Sequence, residues 1–293
     1  MNDNLLIIQE PTELFFDING LHFAAQAWGK KGQLPVLALH GWLDNSASFL
    51  ALASKLKNIY LVAVDMAGHG QSGHRRDAAP YNIWEDVSEI FAIADQLGWQ
   101  EFALLGHSRG GIIATIAAGT FPKRISRLAL IEGIMPEPTV AEDAPKQLAL
   151  SIKGIKTQSE KPLSLYPDIA TAISARERGM FPLSYGAAMV LTERGLKSIS
   201  RGFCWSTDQR LLAPSAVKYL PEQMAAFIRQ INAPIKLVMA KDGMSKFYPS
   251  YISYLDQFPQ IEVHNLPGTH HLHMEQEADA VADIFNEFFA TRI

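Results

Sequence analysis

The strongest constraint on the fold of this chain is a turn of small residues at positions 106–111, whose sequence is Gly-His-Ser-Arg-Gly-Gly. The apolar run 102–105 before it predicts a buried strand, and the apolar run 112–118 after it predicts a buried helix. A sharp strand-to-helix turn needs small residues two places before and two places after its apex, where Gly106 and Gly110 stand. The apex, Ser108, is therefore predicted to have a strained backbone and an exposed side chain.

Ser108 in this position is predicted to be a nucleophile. The helix begins beside it, so unpaired N–H groups and the positive end of the helix dipole lie next to the hydroxyl. The backbone N–H of Arg109 would meet the oxyanion that forms during attack on a carbonyl. The alternative is an ordinary glycine-rich turn that contains a serine, because G-x-S-x-G also occurs by chance. The flanking strand and helix favour the nucleophile.

Composition excludes several classes of protein. The 293 residues are 48% hydrophobic and 19% charged, which is typical of a globular protein with a sizeable core. A net charge of −4 provides no basic surface for nucleic acid. The single cysteine, Cys204, excludes an internal disulfide and fits a reducing compartment. The N-terminus lacks a basic region and a long apolar run. We expect a cytoplasmic protein with a small-molecule acyl substrate and no nucleic-acid or membrane partner.

Strand and helix patterns alternate along most of the chain. An Asn19-Gly20 pair within residues 14–28 predicts an initial antiparallel hairpin. Further strands are predicted at 35–39, 59–64, 102–105, 127–131, 235–240 and 261–264, and helices at 49–56, 83–97, 112–118, 249–258 and 277–290. This alternation predicts an α/β fold with a mostly parallel, doubly wound sheet.

The alternation stops between residues 134 and 231, where helical segments and prolines occur without a convincing buried strand. An insertion after one strand and before the next lies over the sheet edge where α/β proteins bind ligands. We therefore predict a core of residues 1–133 and 232–293 with a helical cap of residues 134–231. Four aromatic residues of this cap are candidate pocket walls, with simple packing inside the cap as the alternative: Phe181, Tyr185, Phe203 and Trp205.

A serine nucleophile needs a base, and the base needs a carboxylate that orients it. In this topology the acid ends a later strand and the histidine follows it. Asp242, at the end of the first strand after the insertion, is the predicted acid, although Asp-Gly is also a common turn pair. Glu132, which ends the strand after the nucleophile, is the alternative acid. It could also be a hinge residue or a helix-start carboxylate.

The loop at residues 266–275 contains three histidines. His270 comes first after small residues that let a loop reach the pocket, so we predict it as the base. His271 is the fallback, and His273 is predicted to support the loop by hydrogen bonds. His270 and His273 could instead share a helical face and bind a metal. No H-E-x-x-H pattern or nearby cysteine supports zinc, and we predict no metal.

The strand that ends at residues 40–42 is predicted to supply a second oxyanion donor, from the backbone N–H of Trp42 or of Leu43. His40 is predicted to be structural, while the Trp42 side chain could equally line the pocket or pack in the core. The Arg109 side chain could bind a substrate carboxylate, but we favour an ion pair with an acidic neighbour.

Residues 65–73 contain a literal G-x-G-x-x-G after a predicted strand, which is typical of a dinucleotide-binding turn. The following residues, 74–80, do not open a helix. We therefore predict a structural loop and no cofactor.

Taken together, four motifs resemble those of the α/β-hydrolase superfamily: residues 40–42, 65–72, 106–111 and 268–275. Residues 40–45 and 203–210 further resemble the serine hydrolase-like proteins. The resemblance implies an α/β-hydrolase fold, a helical cap, no cofactor and a triad of Ser108, His270 and Asp242. Arg109 departs from the pattern, because many relatives have an uncharged residue there.

The resemblance also indicates a reaction. A serine at the turn disfavours haloalkane dehalogenases and epoxide hydrolases, which use aspartate at that position. We expect a serine hydrolase that cleaves a small carboxylic ester or related acyl bond through an acyl-enzyme. The alternatives are a thioester, lactone, amide or C–C hydrolase, and a weakly hydrolytic small-molecule receptor on the same fold. A nicotinamide enzyme that uses the loop at Gly68 is disfavoured.

Overall fold

The fold is built on a twisted sheet, seen in a computed structural model that describes residues 10–76 and 80–291. Within that range the strands are β1 (Thr12–Ile18), β2 (Leu21–Gly29), β3 (Leu34–Leu39), β4 (Ile59–Val64), β5 (Phe102–His107), β6 (Ile125–Ile131), β7 (Leu196–Ile199), β8 (Gly202–Trp205), β9 (Ile235–Asp242) and β10 (Ile261–Thr269). The N-terminal apolar run and residues 77–79 of the loop after Gly73, both used in the sequence predictions, lie outside the described residues.

Eight strands form one sheet in the order β1-β2-β4-β3-β5-β6-β9-β10, and β7 and β8 form a separate hairpin. From β4 to β10 all neighbours in the sheet are parallel, whereas β1, β2 and β4 pair antiparallel. Asn19 and Gly20 have φ values of 53° and 77°, which the tight turn between β1 and β2 requires. The predicted mostly parallel α/β sheet and its initial hairpin are confirmed.

Helices cover both faces of this sheet. They are α1 (Leu50–Ala53), α2 (Ile83–Gln96), α3 (Arg109–Thr120), α4 (Ala144–Glu160), α5 (Ile169–Glu177), α6 (Tyr185–Gly195), α7 (Pro221–Gln230), α8 (Met244–Phe247), α9 (Ser250–Leu255) and α10 (Ala278–Ala290). Apolar residues of α2, α3, α7 and α9 fill the core on one face, and those of α1 and α10 fill the other. Because both faces are covered, every residue of β4 and β5 is buried, which explains their continuous apolar sequence.

The inserted segment between β6 and β9 contains the β7–β8 hairpin, whose four-residue strands are too short to show a strand pattern in the sequence. Its last helix, α7, packs on α3 so closely that a Cβ on Gly119 would lie 2.5 Å from the carbonyl oxygen of Phe227. Since α7 lies beside the sheet, we use the name cap for residues 134–220.

The cap is tied to the core by buried polar contacts. Arg194 of α6 pairs with Asp65 at 2.9 Å and with Glu13 at 2.7 Å. The side-chain amide of Asn45 donates to the carbonyl of Leu191 at 2.9 Å. These contacts hold the cap over the carboxyl edge of the parallel strands. Among the described helices, none has both the length and the apolar character needed to cross a bilayer.

Candidate active site

The turn at Ser108 joins β5 to α3 with the predicted strained backbone. Ser108 has φ 52° and ψ −118°, a conformation that costs about 1–3 kcal/mol for a residue with a side chain. A Cβ on Gly110 would lie 2.0 Å from the carbonyl oxygen of Leu39, and one on Gly106 would lie 2.6 Å from that of Gly110. The small residues are therefore required by the close approach of α3 to the strands.

His270 follows β10, and its ring is held on several sides. Its Nδ1 donates to the carboxylate of Glu132 at 3.1 Å, and its backbone carbonyl accepts a hydrogen bond from Nε2 of His107 at 2.9 Å. The ring of Phe181, from the cap, lies 4.1 Å from the His270 ring between centroids. With the proton on Nδ1, the lone pair of Nε2 is free to accept another proton.

Glu132 is fully buried directly after β6, in a backbone conformation with φ 55°. Its two oxygens accept hydrogen bonds of 2.6 Å from the backbone N–H groups of Ala240 and Met244. Burial raises the pKa of Glu132 to about 7, and those hydrogen bonds act in the opposite direction. Burial, together with the nearby His107, lowers the pKa of His270 well below its usual value. The lowered pKa favours the neutral imidazole, the form that a general base requires.

Asp242, the acid preferred from the sequence, does not contact His270, and that prediction is corrected. Its side chain is 52% exposed and accepts a hydrogen bond from Lys246 at 2.9 Å, which lowers its pKa. The physical reason lies in the next residue. A Cβ on Gly243 would lie 1.9 Å from Oε2 of Glu132, so this Asp-Gly turn closes over the carboxylate of Glu132. The alternative acid, Glu132, is the one that the structure brings to His270.

Ser108 and His270 line the same cavity, which has a volume of about 350 Å³ and lies under the cap. The hydroxyl of Ser108 and the ring of His270 form no hydrogen bond in this structure. Such contacts are often long in hydrolases without substrate and shorten when substrate binds.

Two backbone N–H groups are available as oxyanion donors. Trp42 lines the cavity together with Ser108, and Arg109 follows Ser108 directly. Within the described range neither N–H donates to a protein acceptor. The guanidinium of Arg109 pairs with Asp86 at 2.6 Å. This contact confirms the favoured prediction that Arg109 forms an ion pair with an acidic neighbour.

The cavity wall contains three of the five predicted aromatic residues, Trp42, Phe181 and Trp205. Tyr185 is 57% exposed at the start of α6 and does not line the cavity, and neither does Phe203, whose backbone pairs with that of Tyr166. Other apolar residues of the wall carried no periodic signal in the sequence: Leu43, Leu163, Tyr166, Met180, Leu212 and Met244.

A buried polar cluster beside His270 was not predicted. Asp44 pairs with Arg176 at 2.6 Å and with Nε2 of His271 at 3.2 Å, and it lies 3.6 Å from Nδ1 of His107. Burial alone would raise the pKa of Asp44, but His271, His107 and Arg176 hold it well below its usual value. Asp44 is 132 residues from Arg176, so no local pattern could reveal the pair.

Side-chain oxygen and nitrogen atoms of Asp44, His107 and His271 lie within 4.8 Å of one another, which is close enough for the three residues to bind one metal ion. The guanidinium of Arg176 already neutralises Asp44 at this place and would repel a cation. His273 is buried, and neither of its ring nitrogens has a hydrogen-bond partner among the described residues. The prediction that His273 supports its loop by hydrogen bonds is therefore wrong. Its ring packs against that of His107, with 4.3 Å between centroids.

The glycine-rich loop after β4 is structural, as predicted. The carboxylate of Asp65 accepts hydrogen bonds from the backbone N–H groups of Ser46 at 2.7 Å and Gln71 at 2.8 Å. A Cβ on Gly70 would lie 2.4 Å from this carboxylate. The next helix, α2, begins only at Ile83. The glycines therefore make room for Asp65.

Comparisons with known proteins agree with this geometry. Residues 35–157 match a family described as the alpha/beta hydrolase fold. Serine hydrolase-like protein 2 of Homo sapiens is 31% identical, over 91% of this chain and 90% of the relative. The crystal structure of a hypothetical protein from Pseudomonas aeruginosa PAO1 is 40% identical with a TM-score of 0.91, covering 95% of this chain and 99% of that one. A thioesterase domain from the curacin biosynthetic pathway is 25% identical with a TM-score of 0.80, covering 96% and 99%.

The chain belongs to the α/β-hydrolase superfamily. Within that superfamily it resembles the serine hydrolase-like branch, which confirms the resemblance inferred from its motifs. Fold and relatives together support hydrolase activity.

Proposed function

We propose that this protein is a serine hydrolase that cleaves a small carboxylic ester or related acyl bond through an acyl-enzyme. Ser108 is the nucleophile, His270 the base and Glu132 the carboxylate that orients it. The observation that carries this proposal is the 3.1 Å contact between His270 and Glu132, together with the cavity that His270 and the strained Ser108 both line.

The reaction follows from the roles of these groups. Nε2 of His270 takes the proton of Ser108 as the hydroxyl oxygen attacks the carbonyl carbon, and Glu132 stabilises the imidazolium that forms. The backbone N–H groups of Trp42 and Arg109 stabilise the oxyanion, each worth roughly 3 kcal/mol. When the bond to the leaving alcohol breaks, His270 returns the proton to that alcohol. A water molecule, activated by His270, then hydrolyses the acyl-enzyme and releases the acid.

A thioester is the second candidate substrate. The curacin domain, 25% identical to this chain, is named a thioesterase. The same three residues suit thioester cleavage, and a thiol leaves more readily than an alcohol. A matched pair of substrates, an aryl ester and a thioester with the same acyl group, separates the two by their kcat/KM values.

The first experiment labels the protein with a fluorophosphonate and then measures turnover of an aryl acetate. We expect covalent labelling and turnover in the wild type and neither in Ser108→Ala. Thermal unfolding at the wild-type temperature would show that the variant is folded. Labelling without turnover of esters or thioesters would contradict an ester or thioester hydrolase and favour the receptor or a narrow C–C hydrolase.

The second experiment assigns the base. His271 and Asp44 form a rival pair that lines the same cavity, so His270→Gln and His271→Gln are a matched comparison. We expect His270→Gln to abolish turnover and His271→Gln to retain it. Loss of turnover in His271→Gln with activity retained in His270→Gln would assign His271 as the base.

A further inference from the structure

A second cavity, of about 520 Å³, adjoins the active-site cavity. The two cavities share the side chains of Trp42 and Leu212, which therefore form the wall between them. The indole Nε1 of Trp42 donates to the carbonyl of Leu211 at 2.9 Å, so this wall is held by one hydrogen bond to the cap. Both side chains of the wall are partly exposed, at 37% for Trp42 and 40% for Leu212.

The position of His270 decides which part of a substrate would reach this second cavity. His270 lines the first cavity and not the second. Because His270 must give a proton to the leaving group, the leaving group lies on its side of Ser108. Arg109, the residue directly after Ser108, lines the second cavity. The second cavity is therefore placed for the far end of the acyl group.

The walls of the second cavity combine apolar surface with positive charge. Three cations line it, Arg109, Arg210 and Lys218, and Glu137 is the carboxylate among its lining residues. Arg109 and Arg210 pair with Asp86 and Asp208 at 2.6 Å, outside that lining. The remaining walls are mostly apolar and come from α2, α3, α4 and other parts of the cap.

One of these cations is only loosely paired. Lys218 lies 3.4 Å from Glu137, which is a long contact for an ion pair, and its side chain is 32% exposed. Arg109 and Arg210 each have a carboxylate at 2.6 Å, so Lys218 is the cation that a bound carboxylate would pair with.

We propose that the second cavity binds the distal end of the acyl group and that this end carries a carboxylate, as in a half-ester of a dicarboxylic acid. The proposal rests on the function proposed above, because it takes Ser108 and His270 as the reacting residues. In this arrangement the acyl chain runs from the first cavity to the second beside Trp42 and Leu212. Its apolar methylene groups lie between two polar ends.

The test compares the aryl monoester of suberate with the aryl ester of octanoate, which has the same chain length without the carboxylate. The measured quantity is the ratio of kcat/KM for suberate over octanoate. In Lys218→Met we expect this ratio to fall roughly threefold, the effect of one partly exposed charge, and in Glu137→Gln we expect it to rise. A ratio that is the same in the wild type and both variants would overturn the carboxylate subsite.

A binding measurement separates this proposal from the proposed reaction. In Ser108→Ala protein, calorimetry with suberate and with octanoate reports binding without turnover. Suberate binding that weakens when Lys218→Met is added would support the subsite, even if no ester is hydrolysed by the wild type and the hydrolase proposal fails. Turnover of an aryl acetate with no preference for suberate would overturn the subsite and leave the hydrolase proposal standing.

Discussion

Two neighbouring strands, β6 and β9, end in a carboxylate at the same edge of the sheet, and the two carboxylates have opposite environments. Glu132 after β6 is fully buried and contacts His270, while Asp242 at the end of β9 is 52% exposed and contacts Lys246. Both were candidates for the acid. The difference shows that a carboxylate at a strand end becomes part of a site only when neighbouring backbone groups enclose it.

The end of β9 provides that enclosure for Glu132. Ala240 and Met244 donate their backbone N–H groups to its two oxygens, and Gly243 leaves the space that the carboxylate fills. No comparable donors surround Asp242 among the described residues, and solvent and Lys246 satisfy it instead. The residues on either side of Asp242 therefore serve the carboxylate of the neighbouring strand.

The largest expected effect separates the two carboxylates directly. Glu132→Gln should lower kcat for an aryl acetate by about 10³–10⁴-fold, because an amide neither orients His270 in the same tautomer nor stabilises its imidazolium. Asp242→Asn should stay within about twofold of the wild type, since an exposed side chain away from His270 contributes nothing to that step. Far-UV circular dichroism would check that both variants fold. A loss of activity in Asp242→Asn alone would restore the acid preferred from the sequence.

The next largest effect tests whether the carboxylate of Glu132 needs the space that Gly243 leaves at the end of β9. Gly243→Ala places a Cβ on the carboxylate of Glu132 and should lower kcat by about 10–100-fold, as expected for a displacement of about 1 Å in a catalytic group. The matched control is Gly186→Ala in α6, where a Cβ meets nothing within 4 Å. That control should keep activity and gain up to about 1 kcal/mol in unfolding free energy. Equal kcat values in the two variants would show that Gly243 is not needed for space.

The pH dependence of activity gives a smaller effect. The pKa of Glu132 is raised to about 7, so its carboxyl group takes up a proton as the pH falls through 7, and it then no longer stabilises the imidazolium. The pKa of Asp242 is lowered, so Asp242 stays ionised over the same range. We expect kcat/KM to fall up to about tenfold per pH unit below 7 in the wild type and in Asp242→Asn. An acid limb near pH 7 that persists in Glu132→Gln would assign it to another group.

The smallest effect concerns the surface pair of Asp242 and Lys246. Lys246→Met should change neither kcat nor the temperature of unfolding beyond the error of measurement, because exposed ion pairs contribute little. A clear loss of activity in this variant would show that the end of β9 takes part in the site through its charges.

The local features of this protein follow from short stretches of its sequence. The strained turn at Ser108 follows from glycines at fixed spacing, and the hairpin turn follows from Asn19 and Gly20, because backbone sterics act over a few residues. Continuous apolar runs predicted the buried parallel strands, since both of their faces lose contact with water on folding. The position of His270 after the last strand was predicted from the topology of the nucleophile turn, in which the histidine follows the later strands.

Which carboxylate contacts His270 depends on the packing of segments that are far apart in the chain. Glu132 and Ala240 are 108 residues apart, and Asp44 and Arg176 are 132 apart, so neither contact leaves a local pattern. The boundary of the cap at α7 and the second cavity beside Trp42 likewise depend on segments that meet only after folding. Burial and hydrogen bonding set the state of an ionisable group, and both are properties of the packed chain.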